Sequence, residues 1–151
     1  MTDNKVRVNL GSGNRMLKGF INVDFCKESK PNKVADLNKR FPFKDNSVDF
    51  VFASHIVEHV DDVFKFMHEI WRICKKGTRV QILAPNFSYT HWSIQPQHKR
   101  FIRLKYFEQW EPTYHGVENY EQYTKNAKFH TLSEIVFNDD RELEFILEVI
   151  K

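Results

Sequence analysis

Two glycines and an aspartate near the amino end have the types and spacing of a nucleotide site. Gly11 and Gly13 follow the apolar run 6–10, and Asp24 ends the next apolar run, 20–24. Glycine lets a ligand approach the backbone because no Cβ intrudes, above all where a helix starts. A carboxylate on the neighbouring strand can accept hydrogen bonds from both ribose hydroxyls of an adenosine. The spacing predicts an adenosine site, with an ordinary tight turn and a solvated aspartate as the plainer alternative.

The segment HIVEH, residues 55–59, is a second group with chemical potential. On a helix, H-x-x-E-H places His55 and His59 on one face with Glu58 beside them, the spacing of one class of zinc peptidases. The segment directly follows a predicted buried strand, a context that does not favour a hydrolase. We expect His59 to be a packed, hydrogen-bonded helix residue.

Three histidines are candidate catalytic residues. His55 is the first candidate because it follows a predicted strand, and an imidazole with an ordinary pKa of about 6.5 accepts protons at neutral pH. His91 and His98 lie in 86–99, a stretch without periodicity that we predict to be a long functional loop. Each of the three could equally shape the acceptor pocket without taking part in the chemistry.

Aromatic and basic side chains cluster in and after this predicted loop. They could contact a phosphorylated or glycosylated small-molecule acceptor, although a solvated charged surface is the plainer interpretation. Nucleic acid is not favoured as a partner. The cluster comprises Tyr89, His91, Trp92, His98, Lys99, Arg100 and Arg103.

The predicted elements that would position these residues alternate between strand and helix. A helix is predicted from Val60 to Cys74, where apolar residues recur every three or four positions, and Lys75, Lys76 and Gly77 are typical of its end. Five short strands are predicted at 6–10, 20–24, 34–36, 48–53 and 79–84.

The carboxyl-terminal third is predicted to hold a helix at 101–110 and two strands at 130–137 and 143–150, joined through 138–140. The chain is therefore expected to be an α/β protein with a mostly parallel sheet and an antiparallel carboxyl-terminal hairpin. About nine residues separate the second and third predicted strands, too few for a crossover helix. One face of the sheet should be thinly covered, or covered by a partner such as a second copy of the chain.

Length and composition limit the number of domains and the class of protein. A chain of 151 residues that is 41% hydrophobic suits one domain, 1–151. No apolar run approaches the roughly 20 residues of a membrane span, and the amino end does not resemble a secretion signal, so we expect a cytoplasmic protein with Cys26 and Cys74 reduced. The net charge of +3 is compatible with an anionic acceptor without requiring one.

Several ordered stretches together resemble a small bacterial and archaeal group of class I, type 11 S-adenosylmethionine-dependent methyltransferases. These stretches are VNLGSGNRMLKGFINVD (8–24), ADLN (35–38), FPFKDNSVDFVFASHIVEHV (41–60) and EIWRICKKGTRVQILAPNF (69–87). The resemblance implies a Rossmann-like methyltransferase sandwich with a minimal set of helices, and S-adenosylmethionine as the cofactor.

The resemblance also implies site residues. Gly11, Ser12 and Gly13 would form the loop beneath the cofactor, and Asp24, with Phe25 after it, would hold the ribose. Asp36 and Leu37 would flank the adenine, and Ser54 would lie near the sulfonium beside His55. Asn9 stands where the broader class often has an acid, and Arg15 replaces the usual third glycine.

Some relatives, including ubiquinone O-methyltransferases and small-RNA 3′-end 2′-O-methyltransferases, carry E-x-x-E-H at 55–59 and bind a metal there. This chain has His55 in the first position, so we predict no metal site. A site could still be assembled from Glu58, His59 and a later histidine such as His91, His98 or His115.

The function implied is methyl transfer to an unidentified small-molecule or envelope acceptor, such as a sugar or lipid intermediate. A non-catalytic S-adenosylmethionine-binding module or subunit is the alternative. A metal-dependent RNA 2′-O-methyltransferase is less favoured.

Overall fold

One seven-stranded sheet organises the computed structural model, which describes residues 4–88, 95–114, 121–124 and 127–151. The strands are β1 (Arg7–Leu10), β2 (Ile21–Asp24), β3 (Lys33–Val34), β4 (Val48–Ser54), β5 (Cys74–Pro85), β6 (Lys128–Phe137) and β7 (Glu142–Ile150). Helix α1 spans Val63–Ile73, the one-turn helix α2 spans Glu121–Thr124, and single 3₁₀ turns lie at Lys27–Ser29 and Glu108–Trp110.

The strand order is β3-β2-β1-β4-β5-β7-β6. β1 to β5 pair in parallel, whereas β7 runs antiparallel to both β5 and β6. The predicted α/β class, mostly parallel sheet and carboxyl-terminal hairpin are therefore confirmed. The chain leaves β1 towards β2 on one side and later returns to β4 on the other, and such a switch point opens a crevice at the carboxyl ends of the strands.

The core lies against one face of the sheet. Val8, Val51, Val80 and Leu147 stand abreast on β1, β4, β5 and β7, and each is completely buried. Helix α1 covers them with a buried apolar stripe that includes Phe66, Met67, Ile70 and Ile73. The three-and-four spacing of those residues is what makes the segment helical and amphipathic.

Helix α1 begins later than its apolar pattern predicts, and it ends earlier. Asp62 is its N-cap and accepts hydrogen bonds from the amides of Phe64 and Lys65, both at 3.0 Å. The prediction that Lys75, Lys76 and Gly77 end the helix is wrong, because β5 already begins at Cys74. Pairing with β4 overrides the local helix signals in this segment.

The helix predicted at 101–110 is not formed, and no helix follows the glycine turn. Residues 14–20 make turns after Gly13, so no helix starts there, and residues 101–110 make turns that end in the 3₁₀ turn Glu108–Trp110. Only the short stretch 14–20 separates Gly13 from β2, which leaves no room for a helix and a return of the chain.

No helix in the described ranges has the length and apolar character needed to cross a bilayer.

The second face of the sheet is thinly covered, as expected. Asn9, Phe52, Gln81 and Ile146 stand abreast on this face. Asn9 and Phe52 are buried, whereas Gln81 and Ile146 keep part of their surface open. The loop between β2 and β3 holds only the 3₁₀ turn Lys27–Ser29 in place of a crossover helix.

Candidate functional site

A cavity of about 100 Å³ opens at the carboxyl ends of β1, β2 and β3. The structure brings five of the predicted cofactor-binding residues to it: Gly11, Asp24, Phe25, Asp36 and Leu37. Five further residues line it that the motifs did not indicate as cofactor contacts: Ala35, Asn38, Ile56, His59 and Val60. The last three follow β4, so their position depends on how β4 pairs with β1.

Gly11 forms the floor of this cavity where the chain passes close to Ile56. Gly11 has φ +69°, and the amides of Gly11 and Ser12 both donate to the carbonyl of Val23, at 2.9 and 3.0 Å. A Cβ at position 11 would lie 2.8 Å from the Cβ of Ile56. Both the left-handed backbone and the contact therefore require glycine.

Asp24 is buried and held by two backbone amides. Its Oδ2 accepts a 2.7 Å hydrogen bond from the amide of Gly13, and its Oδ1 accepts a 2.8 Å hydrogen bond from the amide of Cys26. Each carboxylate oxygen has two lone pairs, so each retains one acceptor position. The side chain is thus fixed in orientation and still able to accept two hydroxyl donors.

Asp36 and Phe25 are the open side chains of the cavity. The hydrogen bond that the amide of Asn38 donates to Oδ1 of Asp36, 3.0 Å long, lowers the pKa of Asp36, and Lys39 adds to that effect. Asp36 therefore caps a turn and is ionised at neutral pH. The ring of Phe25 is 75% exposed, whereas Leu37 is buried.

The remaining predicted cofactor residues lie beside the cavity. Gly13 acts through its amide on Asp24, and Ser12 is buried with an Oγ that finds no hydrogen-bond partner among the described residues. Ser54 ends β4. None of these three is among the residues that line the cavity.

A second cavity, of about 290 Å³, adjoins the first, and His59 lines both. The predicted catalytic residues His55 and His98 lie here, whereas His91 lies outside the described residues. The full lining is His55, Glu58, His59, Pro85, Gln95, His98, Arg141 and Glu142. Arg141 and Glu142 were not predicted, because they reach the cavity only through the pairing of Glu142 with Pro85 between β7 and β5.

His55 lies between two carboxylates. It has φ +52°, a left-handed conformation that histidine adopts more readily than most residues. Its Nδ1 is 3.4 Å from Oε1 of Glu58 and its Nε2 is 3.4 Å from Oε1 of Glu142. The Glu58 carboxylate raises the pKa of His55, partial burial opposes this, and Glu142 reinforces the increase.

Glu58 is completely buried at the base of the second cavity. Neither carboxylate oxygen has a hydrogen-bond partner among the described residues. His59 and His98 are its neighbours, and one potential ligand atom from each of the three side chains lies within 4.8 Å of the others. These three residues could hold a metal ion.

The segment 95–100 packs against the residues after β4. The amide of Lys99 donates to the carbonyl of Glu58 at 2.8 Å, and the guanidinium of Arg100 donates to the carbonyl of Val57 at 2.6 Å. Lys99 also pairs with Asp61. The side chains of Lys99 and Arg100, predicted to contact an acceptor, are thus engaged by the protein itself, Lys99 by a carboxylate and Arg100 by backbone carbonyls, while Arg103 lines a separate depression. Tyr89 and Trp92, like His91, lie outside the described residues.

A wider depression of about 580 Å³ lies elsewhere, between residues 108–114 and β6. Its carboxylates are already engaged: Glu111 accepts from the amide of Thr131 and pairs with His130, and Glu134 accepts from the amide of Lys105. The depression shares no lining residue with either cavity at the strand ends, so we place the site at the two adjoining cavities.

Part of the chain is similar to known methyltransferases. Residues 18–82 match the Methyltransf_11 family model, described as a methyltransferase domain. Ajmaline N-methyltransferase of Rauvolfia serpentina is 32% identical over 65 residues, which are 41% of this chain and 22% of that protein. Norajmaline N-methyltransferase of the same plant gives the same identity and coverage. The matched region thus spans about a fifth of the length of these curated relatives.

Solved structures share the fold over nearly the whole chain. A chain of the complex between the Haloferax volcanii Trm112 methyltransferase activator and its candidate methyltransferase superposes with a TM-score of 0.68 at 17% identity, covering 97% of this chain and 83% of that one. A SAM-dependent methyltransferase from Archaeoglobus fulgidus has a TM-score of 0.66 at 18% identity, covering 96% and 86%. One from Aquifex aeolicus has a TM-score of 0.65 at 14% identity, covering 97% and 82%.

The resemblance to type 11 methyltransferases is confirmed over residues 18–82, which match the family model, and the solved structures share the fold of the chain. Three solved structures with this fold, from Aquifex aeolicus, Archaeoglobus fulgidus and Listeria monocytogenes, are described as S-adenosylmethionine-dependent methyltransferases, the last as a candidate one.

Proposed function

We propose that this protein transfers a methyl group from S-adenosylmethionine to a polar small-molecule acceptor. The cofactor would bind in the cavity of Gly11, Asp24 and Asp36, and the acceptor in the adjoining cavity of His55 and His98. The observation that carries the proposal is that a glycine turn and two carboxylates, from the ends of three different strands, converge on one hollow. Open α/β sheets bind ligands at this crevice.

The residues of the first cavity fit an adenosine. Asp24 retains two acceptor positions for the ribose hydroxyls, and Gly11, which the contact with Ile56 requires to be glycine, adds no side chain to the cavity wall. Phe25 and Leu37 offer apolar surface to the adenine, and Asp36 offers an ionised acceptor to its amino group. An exposed phenylalanine ring is stabilised when a ligand covers it.

S-adenosylmethionine, when bound, supplies a methyl group activated by its sulfonium. The protein's task is then alignment of the acceptor, an effect worth roughly 7 to 11 kcal/mol in well-oriented reactions. His59 forms the wall shared by the two cavities, which places acceptor and cofactor next to each other. Glu58, Arg141 and Glu142 make the acceptor side charged, which suits a polar acceptor such as a sugar derivative better than a lipid chain.

The second candidate function is a non-catalytic S-adenosylmethionine-binding module. The position of His55 favours it: its Nδ1 and Nε2 lie 3.4 Å from the carboxylates of Glu58 and Glu142, so both ring nitrogens of the first candidate base face the protein's own side chains. This argument against catalysis does not apply to an acceptor that reacts without a general base.

Calorimetric titration with S-adenosylhomocysteine tests cofactor binding. Replacing Asp24 by Asn keeps its size and removes the charge, and hydrogen bonds to a charged group contribute about 1.5 to 3 kcal/mol each. We expect Asp24→Asn to weaken binding at least tenfold, about 1.4 kcal/mol. Asp49→Asn is the matched control, because Asp49 also accepts from a backbone amide, that of Val6 at 2.9 Å, but lies outside both cavities.

Absence of S-adenosylhomocysteine binding by the wild type, or equal weakening by both variants, would exclude the proposed cofactor site. Turnover separates the two candidate functions. Release of S-adenosylhomocysteine from labelled S-adenosylmethionine, dependent on a polar acceptor, supports the enzyme. Tight cofactor binding without turnover across amine, carboxyl and hydroxyl acceptors supports the module.

A further inference from the structure

Glu58 lies at the base of the second cavity, and we propose that its carboxylate binds a protonated primary amine of the acceptor. The proposal deepens the proposed function and rests on it for the ligand's role as a methyl acceptor. It assigns the acceptor to one chemical class, polar molecules that carry an amine. An ammonium group has no lone pair, so the amine held in this way is an anchor, and another nucleophilic atom of the same molecule receives the methyl group.

The carboxylate of Glu58 lacks partners within the described part of the chain. Its side chain lines the cavity with no exposed surface, and neither oxygen has a hydrogen-bond partner there. The nearest imidazole nitrogens, Nδ1 of His55 and Nε2 of His59, both approach Oε1, at 3.4 and 3.8 Å, whereas N–H···O bonds are typically about 2.7 to 3.2 Å. Buried carboxylates are normally hydrogen-bonded, because the desolvated charge is otherwise costly. The two oxygens therefore point to a donor that the ligand supplies.

His59 adds a third acceptor atom beside this carboxylate. Its Nδ1 lies 3.1 Å from the backbone carbonyl of Gln97. A carbonyl oxygen only accepts, so the neutral ring carries its hydrogen on Nδ1 and its lone pair on Nε2. This Nε2 faces Oε1 of Glu58, and two acceptors cannot bond to each other. They are 3.8 Å apart, so one ammonium nitrogen with bonds of about 2.8 Å reaches both.

The number of donors distinguishes an ammonium from a hydroxyl at this place. A primary ammonium has three N–H donors and no acceptor, whereas a hydroxyl has one donor and also accepts. The two oxygens of Glu58 and Nε2 of His59 are three acceptors on one wall. Glu142, on the other side of His55, adds a second carboxylate to the lining, against the single guanidinium of Arg141. Hydrogen bonding and charge both suit an ammonium.

The second cavity has room for the rest of such an acceptor. Its volume of about 290 Å³ is at the lower end of the range of roughly 300 to 1,000 Å³ typical of small-molecule sites. His59 lines the cofactor cavity as well, so an acceptor anchored at Glu58 lies next to the cofactor.

The competing explanation is that His55 alone neutralises Glu58. His55 divides its two nitrogens between Glu58 and Glu142, and it leaves the second oxygen of Glu58 without a hydrogen-bond partner among the residues described. If this explanation holds, the cavity does not prefer an ammonium to a neutral group.

The test follows the ring-proton NMR signals of His59 and His98 while the full chain is titrated with methylammonium, tetramethylammonium or methanol. Ionic strength is held constant, and a chelator excludes metal ions. Methylammonium has three N–H donors, tetramethylammonium has the same charge without a donor, and methanol is neutral. We expect saturable shifts with methylammonium and binding at least tenfold weaker for the other two. Methylammonium that binds no more tightly than either control, or that produces no saturable shift, would overturn the proposal.

Variants locate the binding. Glu58→Gln keeps the size of the side chain and should weaken methylammonium binding at least tenfold, because a charge-assisted hydrogen bond is lost. Glu111→Gln is the matched control, since Glu111 also sits beside a histidine, His130 at 2.9 Å, but lines neither cavity. Equal weakening in both variants would contradict the assignment.

A second variant, His59→Phe, covers the case in which Glu58→Gln fails to fold. It keeps an aromatic ring and removes the acceptor Nε2, so methylammonium binding, read from the His98 signals, should weaken at least threefold. Unchanged binding in His59→Phe would refute the shared site. Circular dichroism reports folding for each variant.

The outcome for the amine separates from that for the cofactor. Wild type that binds S-adenosylhomocysteine but shows no preference for methylammonium refutes the amine anchor and leaves the proposed function intact. Wild type that binds methylammonium through Glu58 but not S-adenosylhomocysteine refutes the cofactor site and leaves the anchor intact.

Discussion

Asn9 donates a hydrogen bond from Nδ2 to Oδ1 of Asn22, 2.9 Å away, and both side chains are buried. Asn9 also donates to the carbonyl of Arg15 at 3.0 Å, and Asn22 accepts from the amide of Leu17 and contacts Oδ1 of Asn32 at 2.9 Å. These hydrogen bonds between side-chain amides hold the loops next to β1 and β2 against the sheet.

Asn9→Asp should destabilise the protein. The substitution introduces the acid often found at this position in the broader class, and the carboxylate would face two acceptor oxygens without a proton to donate. We expect a loss of about 1 to 3 kcal/mol in the free energy of unfolding, measured by urea denaturation. Asn14→Asp is the control on an exposed residue of the same loop and should change stability little. A tolerated Asn9→Asp would show that the amide chain does not stabilise these loops.

Gly11→Ala should lower the melting temperature more than Gly13→Ala. Both positions are left-handed, with φ +69° and +48°, and a non-glycine residue there costs roughly 1 to 2 kcal/mol. Only at position 11 would the new Cβ also clash with Ile56, whereas at position 13 it meets no heavy atom within 4 Å. Thermal denaturation followed by circular dichroism measures the difference. Equal shifts for the two variants would mean that the contact with Ile56 does not constrain the turn.

Glu69 should make stability depend on acid pH. Burial tends to raise the pKa of Glu69, but hydrogen bonds from Arg72 and from the amide of Phe41, each 2.7 Å, outweigh it and leave the pKa below its ordinary value of 4.5. A lowered pKa in the folded state means stabilisation that is complete above about 4.5 and is lost as the pH falls through the folded value.

The measurement is the free energy of unfolding of wild type and Glu69→Gln at a series of pH values. The difference between the two proteins should be largest above pH 4.5 and shrink as the solution becomes more acidic. A difference that stays constant down to the acid transition would contradict the assigned role of the Arg72 pair.

The two cysteines should differ sharply in reactivity. Burial raises the pKa of Cys74 to about 12, and the thiol is completely enclosed by the core, whereas Cys26 is partly exposed. At pH 8 only about one in ten thousand Cys74 thiols would be ionised, and the thiolate is the reactive form. Titration with an aromatic disulfide reagent should therefore detect one thiol in the native protein and two after denaturation. The Cys26→Ser variant should show none until it unfolds, and rapid modification of its remaining thiol would refute the enclosure of Cys74.

Local pattern identified most of the sheet. β4 is a β-branched, apolar run, and the strands of the hairpin alternate between apolar and polar residues, so the predicted positions of these three strands agree with the structure to within two residues; for β5 the pattern predicts only the second half. The local sequence pattern predicts the wrong element where strand pairing outweighs it. Lys75 and Gly77 carry the signals of a helix end, yet Cys74 already pairs with Val48 and Lys75 bonds to Asp49 at 2.7 Å, so the segment is strand.

The sequence by itself determined that Gly11, Asp24 and Asp36 would meet, because each follows a parallel strand and the carboxyl ends of parallel strands share one edge of a sheet. Which residues line the adjoining cavity follows only from the tertiary structure. His98 reaches Glu58 through the segment 95–100, and Glu142 reaches His55 because β7 pairs with β5. These contacts join residues tens of positions apart, and their register follows from packing of the whole sheet, which no local periodicity records.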